Sequence, residues 1–334
     1  MTDTLTKLGI SANVSSGRAD ILCGQERFYV SCDYADHSPP LTEDFLSFPA
    51  ILLALKHRAH VVVDGRITQS CWKNTRELID LYSTWLPDLV DRFDVSCVEV
   101  IEDEQARPTG KNAVHAVSGG IDSTYALITT QEKHALTHGL TIHGADYPLD
   151  ESAAFAELKQ RTSKICDVAG IDLITIATDF RKLKFDWRMG HMLNLAMVCH
   201  ILGPEFRTAV VAADNTPVQD AVRCPWGNCA EISRRLSGGG LAIHYEGYDA
   251  NRLEKTRAIV EDGRYLEHVS VCYKDGSSGG NCGICVKCLQ TRIALQLAGG
   301  PTDGLFSEYP DIVPALEKIR VTKRPSGARG AILR

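Results

Sequence analysis

The sequence lacks a long apolar run: its longest clear one, Pro49 to Leu55, falls well short of the ~20 residues a membrane span needs. Met1 to Asp20 has no apolar core segment of the kind a signal peptide carries. The expectation is a cytoplasmic protein with no membrane partner, in a compartment that disfavours disulfides. An excess of one charge is also missing, since 36 Lys and Arg stand against 42 Asp and Glu, a formal net charge of −6. That balance argues against a broad nucleic-acid surface and leaves room only for a local patch. No Gly-x-x-x-x-Gly-Lys-Ser/Thr loop and no His-Glu-x-x-His helix is present. Two histidine pairs have ligand-like spacing, His57-x2-His60 and His134-x3-His138. Both lack a glutamate and a third ligand nearby, so neither is assigned to metal.

Cysteine, by contrast, is plentiful, with 12 in 334 residues. Cys272, Cys282, Cys285 and Cys288 fall within 17 residues, with Gly279, Gly280 and Gly283 among them to allow a tight knuckle. Four thiolates at this spacing close a tetrahedral Zn2+ site with no open position, so the ion would be structural. An iron–sulfur cluster is the alternative that four thiolates leave open. The remaining cysteines are scattered and read as small buried hydrophobes.

The most informative stretch is Val117-Ser118-Gly119-Gly120-Ile121-Asp122-Ser123-Thr124. An apolar run, Ala113 to Val117, enters it and a helix-forming run, Tyr125 to Ile128, leaves it. A glycine pair at a strand-to-helix joint lets the backbone turn so that N–H groups face one concavity. The positive end of the helix adds to them, a combination suited to a polyphosphate.

Around this stretch the chain divides into residues 1–105, a small mixed α/β domain; 106–265, a nucleotide-binding domain; 266–300, the knuckle; and 301–334, a C-terminal segment. In the first, strands are expected within Ile21 to Tyr34, a helix over Glu43 to Arg58, a strand over His60 to Asp64, a helix capped by Asn74 and running to about Leu86, and a strand over Val95 to Ile101. In the second, strands are expected at 113–117, 140–144, 171–177 and 208–213, and helices at 123–137, 151–169 and 190–202. Such βα alternation makes a parallel sheet covered on both faces. Ligands of such sheets bind beyond the carboxyl ends of the strands, which is where Ser118, Gly144, Thr178 and Asp214 fall. The tail from Lys318 to Arg334 is basic, and its default reading is a solvated terminus.

The loop resembles the PP-loop, Ser-Gly-Gly-x-Asp-Ser, of the ATP pyrophosphatase superfamily. Together with the knuckle, Val271-Cys272-Tyr273 and Cys282 to Arg292, and with Leu253-Glu254-Lys255-Thr256, roughly residues 111–297 resemble the 7-cyano-7-deazaguanine synthase family. The resemblance implies an adenine nucleotide alpha-hydrolase-like α/β/α fold with ATP, Mg2+ and Zn2+. It also implies adenylation of a small-molecule carboxylate, loss of pyrophosphate and amidation by ammonia, with a nitrile after a second activation. The chain departs from the family where Gly144 to Asp150, Trp187 to His191 and Arg223 to Cys229 replace its substrate segments, and residues 1–105 have no counterpart there. The nucleotide chemistry therefore carries over better than recognition of deazaguanine.

Roles are expected of particular residues. Ser118, Gly119, Gly120, Ser123 and Gly144 would bind nucleotide. Asp122 would repel phosphate unless a cation intervenes, which calls for Mg2+, and its plain alternative is a helix cap. Lys255 would neutralise the leaving pyrophosphate, and Arg188 would grip a carboxylate or the α-phosphate through its planar fork. For both, a solvated surface side chain is the plain alternative. Asp214 would orient ammonia or an amine, although Asp214-Asn215-Thr216-Pro217 also reads as a turn. Trp226 would stack on a planar substrate, although a lone aromatic more often packs. Two other functions compete. One is an ATP-dependent sulfur transferase on a nucleobase or tRNA, with Cys224 and Cys229 as the sulfur-handling pair. The other attaches an activated group to a partner protein docked on residues 1–105. A second copy of the chain, in a homodimer, completes the partners considered.

Overall fold

The computed structural model describes residues 5–15, 17–35, 37–272 and 280–317. The basic tail Lys318 to Arg334 and Gly279 of the knuckle lie outside the described residues.

The strands are β1 (Thr6–Ser15), β2 (Arg18–Cys23), β3 (Glu26–Cys32), β4 (Ala59–Thr68), β5 (Asp94–Ile101), β6 (Asn112–Ala116), β7 (His138–His143), β8 (Asp172–Thr178), β9 (Phe206–Ala212) and β10 (Ala242–Glu246). The α-helices are α1 (Asp44–His57), α2 (Gln69–Trp85), α3 (Ile121–Thr130), α4 (Ser152–Ala169), α5 (Trp187–Ile201), α6 (Pro217–Arg223), α7 (Ala230–Ser233), α8 (Arg252–Asp262), α9 (Val286–Ala298) and α10 (Ile312–Glu317). All strands join one sheet in the order β10-β9-β6-β7-β8-β3-β2-β1-β4-β5. The segment from β10 to β8 is parallel throughout, as the apolar βα alternation predicts. The first unit adds its strands through β3, which pairs antiparallel with β8 at Val30↔Thr178 and Cys32↔Ile176.

Side-chain alternation sorts the core. Val114, Leu140 and Ile174 face α1 and α5, whereas Ala113, Val117 and Val210 face α3 and α4. Helix α1 is buried nearly all round, which explains its continuous apolar run from Phe48 to Leu55.

Two local expectations are corrected. Asn74 does not cap a helix: α2 begins at Gln69, where the Thr68 hydroxyl accepts from the Cys71 N–H. Thr68 is fixed for that role by buried Asp44, whose carboxylate accepts its N–H and its hydroxyl at 2.7 Å each. Asn74 lies inside the helix and donates its amide to the Ser237 carbonyl at 2.9 Å. Helix α3 stops at Thr130 rather than 137, because the chain turns through left-handed Ala135 (φ 49°) before β7.

The strand order reverses direction between β6 and β9: the chain runs from β6 outward through β7 and β8, then returns to β9 on the other side. A crevice opens beyond the carboxyl ends at such a switch point. Ser118 follows β6 and Asp214 follows β9, so both border it. Among the described residues no helix is long and apolar enough to cross a membrane.

Candidate nucleotide site and cysteine cluster

Strand β6 delivers the loop. The Val117 N–H bonds the Leu140 carbonyl at 2.8 Å, and the chain then turns through Gly119, whose φ of +72° is left-handed. Gly120 precedes α3 without a side-chain cap. The hydroxyls of Ser118 and Ser123 lie 3.1 Å apart, Ser123 Oγ accepts the Ser118 N–H at 3.3 Å, and Ser118 Oγ accepts the Gly120 N–H at 3.4 Å. These two serines hold the shape of the loop. The first N–H groups of α3, at Ile121, Asp122 and Ser123, have no carbonyl within their helix to bond, and with the helix dipole they form an anion-binding end. His115, fully buried in β6, fixes this end through a 2.8 Å bond between Nε2 and the Ser123 carbonyl. Burial pushes its imidazole down to about 4, so Nε2 carries a proton to donate and the ring is neutral.

A cationic pair faces the same end. The Asn251 side chain caps α8 and Glu254 reaches back to the Asn251 N–H, a complete capping box. The box sets Arg252 and Lys255 three residues apart on one face. Lys255 Nζ lies 3.0 Å from Asp122 Oδ1 and donates also to the Ala213 carbonyl. Arg252 Nη1 lies 3.1 Å from Asp122 Oδ2, while its Nη2 reaches Thr291 of α9 at 3.2 Å. The cations that stand beside Asp122 are therefore the protein's own. Asp214, next to Ala213, is pushed upward by burial and then by the charge of Asp122; His191, Lys287 and Lys255 pull it back down. One residue of the first turn of α3, two of α8, one just after β9, one of α5 and two of α9 thus gather at the switch point.

The four cysteines also come together. Their sulfur atoms all lie within 4.8 Å of one another, a group that could hold a metal ion such as zinc. Cys272 Sγ is 3.8 Å from Cys285 Sγ, and Cys282 Sγ is 3.9 Å from Cys288 Sγ. These pairs share no atom, so they are opposite edges of one tetrahedron. Zinc bonds to sulfur of ~2.3 Å require edges of about 3.8 Å. The knuckle is fastened by buried Arg292, which donates to the Gly283 and Pro310 carbonyls at 3.1 and 2.7 Å. It also touches the loop: the Ser270 N–H bonds the Gly119 carbonyl at 2.7 Å, and Ile121 packs with Val271, Cys272 and Cys288.

Other expected residues stand elsewhere. Arg188 is 60% exposed and folds back onto Asp186, the cap of its own helix, at 3.3 Å. Gly144 directly follows β7 with φ +96°, and a Cβ there would lie 1.7 Å from the Thr178 carbonyl oxygen, so packing alone demands glycine. Trp226 stands 5.9 Å from the His191 ring, with the Arg223 guanidinium 5.0 Å from its own centroid, and its indole Nε1 is buried without a partner. It therefore borders the Asp214 cluster through His191. Cys224 and Cys229 do meet, but burial raises both thiols, Cys229 to about 12, the reverse of what a sulfur nucleophile needs. A cavity of about 330 Å³ is lined by Glu157, Gln160, Arg161, Lys164, Glu267 and His268, and no loop residue lines it.

Compared with known proteins, the chain matches no family model and no curated protein. Sequence reasoning overlooked Arg252, His191 and His115 as site residues. The Asn251–Glu254 spacing was the available signal for Arg252, since it fixes where the helix starts and hence which residues share its face with Lys255.

Proposed function

We propose that this chain is a PP-loop type enzyme that adenylates a small-molecule carboxylate with ATP, releases pyrophosphate and passes the acyl group to ammonia. The observation that carries the reading is the convergence of Asp122, Lys255 and Arg252 at the N-terminal end of α3, directly after the Ser118-Gly119-Gly120 turn. The loop N–H groups would hold the β- and γ-phosphates. Lys255 and Arg252 would offset the charge that grows as the bond between the α-phosphorus and the bridging oxygen breaks. A carboxylate oxygen attacks the α-phosphorus and pyrophosphate leaves. Ammonia then adds to the activated carbonyl and AMP departs with one of the carboxylate's oxygens, leaving the amide. A second activation, through the amide oxygen, would give a nitrile, as the resemblance to 7-cyano-7-deazaguanine synthase implies.

Mg2+ would enter with ATP; both Asp122 oxygens are already paired with Lys255 and Arg252, so Asp214 is the carboxylate left beside them for it. The four cysteines would hold Zn2+ in a closed, structural site. Trp226 and His191 would present planar surface to a planar substrate. The test uses 7-carboxy-7-deazaguanine labelled with 18O in its carboxylate, with Mg-ATP and ammonium. The reading expects one labelled oxygen in AMP for each amide formed, and label-free AMP beside an amide product would refute acyl adenylation.

A further inference from the structure

A second cluster of metal-ligating side chains lies outside the nucleotide site. His134 follows the end of α3, and its Nε2 stands 2.7 Å from Glu246 Oε1. His244 and Glu246 are two residues apart on β10, so they project on one face of the strand. The His134 and His244 rings lie 4.4 Å apart between centroids. One donor atom from each of the three residues falls within 4.8 Å of the other two. The ligand-like spacing of His134 with His138 is not assigned to metal, and the fold turns His138 against Tyr34 and Phe206.

We infer that His134, His244 and Glu246 form a second zinc site, separate from the cysteine knuckle and built from nitrogen and oxygen donors. Two imidazoles and one carboxylate are a recurrent donor set for Zn2+, with ligand bonds of about 2.0–2.2 Å. Donors at such bond lengths in a tetrahedron sit about 3.3–3.6 Å apart, so small side-chain shifts bring these three onto one ion. Their surroundings suit ligation. The His134 side chain is 8% exposed and that of Glu246 17%, while that of Lys133, at 60%, stands largely in solvent. Lys133 Nζ now stands 2.6 Å from the same Glu246 oxygen. Zinc entry displaces this flexible ammonium into water and leaves the fourth position facing solvent.

The ion would pin the edge strand β10 to the end of α3. The end of β10 is tied to the nucleotide crevice: the Ala213 N–H bonds the Glu246 carbonyl at 2.8 Å, and a Cβ built on Gly247 would lie 3.7 Å from Lys255 Cε. Metal here would therefore stiffen the wall that carries Lys255. The inference needs no adenylation activity, so its failure and that of the proposed reaction are distinguishable.

The test is metal content by mass spectrometry on the full chain, freed of any purification tag, saturated with Zn2+ and then desalted. Two zinc ions per chain are expected, falling to one in His244→Gln, in Glu246→Gln and in their double variant. Equal zinc content in wild type and the double variant would overturn the site. A Co2+ titration covers the case of poorly folding variants, because it uses wild type alone. The sulfur-to-cobalt charge-transfer absorption should saturate at one equivalent while a second equivalent still binds. Binding that ends with that absorption would count against the inference.

Discussion

The Lys255 ammonium, with a fully buried side chain, sits 3.0 Å from Asp122 Oδ1 across the gap between α8 and the start of α3. A buried ammonium persists only when paired and hydrogen-bonded, and here the Ala213 carbonyl accepts a further hydrogen bond from it. Lys255→Met should lower stability by about 3 kcal/mol, the low end for breaking a buried pair, because Asp122 keeps Arg252 and is 22% exposed. Adenylation should fall ~100-fold, the scale of one lost charge-stabilising donor. Urea unfolding and pyrophosphate release measure the two effects, and an unchanged rate would remove Lys255 from the chemistry.

Two glycines separate ligand binding from packing. Gly119→Ala meets nothing closer than 3.7 Å and suffers only left-handed strain, about 1–2 kcal/mol. It should fold yet bind ATP more weakly, as titration calorimetry would show. Gly144→Ala would drive a methyl into the Thr178 carbonyl, 1.7 Å away, and should yield little soluble protein. Normal folding of Gly144→Ala would contradict the packing described around β7.

Much of the parallel half of the sheet was legible in the sequence, for local reasons. Ala113 to Val117 is apolar on both faces because the strand is covered on both, and the glycine pair marks the turn. Strands β1 and β10 were not legible: both have mostly exposed or half-buried residues, so neither apolar runs nor clean alternation mark them. The pairing of β3 with β8 joins residues about 150 apart, which no local pattern encodes. The site divides in the same way. The loop and the four cysteines are contiguous motifs, whereas Arg252 and His191 reach the crevice only after the sheet closes.

His115 makes stability depend on pH. Its imidazole is neutral in the fold down to about 4 and titrates near 6.5 when unfolded. The unfolded chain thus binds more protons between those values, so this contribution is present above pH 6.5 and is lost as pH falls to about 4. The loss is about 3 kcal/mol for this one group. Urea unfolding at pH 7 and pH 4.5 should show a smaller acid-induced drop in His115→Gln than in wild type. Equal drops would mean that His115 does not titrate as its burial requires.

The knuckle should behave as a folding element. Cys285→Ser removes one corner of the sulfur tetrahedron, and metal binding by such sites is folding free energy. The melting temperature should fall by several degrees, and the loop should loosen through Ser270 and Ile121, which join it to the knuckle. Calorimetry and hydrogen exchange at Gly119 to Ser123 would report both. Unchanged melting with full metal content would refute a structural role.

The central claim is that the loop and its cations direct ATP cleavage between the α- and β-phosphates. The most direct measurement is nucleotide analysis after incubating the zinc-loaded protein with Mg-ATP, ammonium and 7-carboxy-7-deazaguanine. The account predicts AMP and pyrophosphate in equal amounts, both lost in Asp122→Ala with Ser118→Ala. ADP and phosphate as products, or turnover unaffected by the two substitutions, would contradict it.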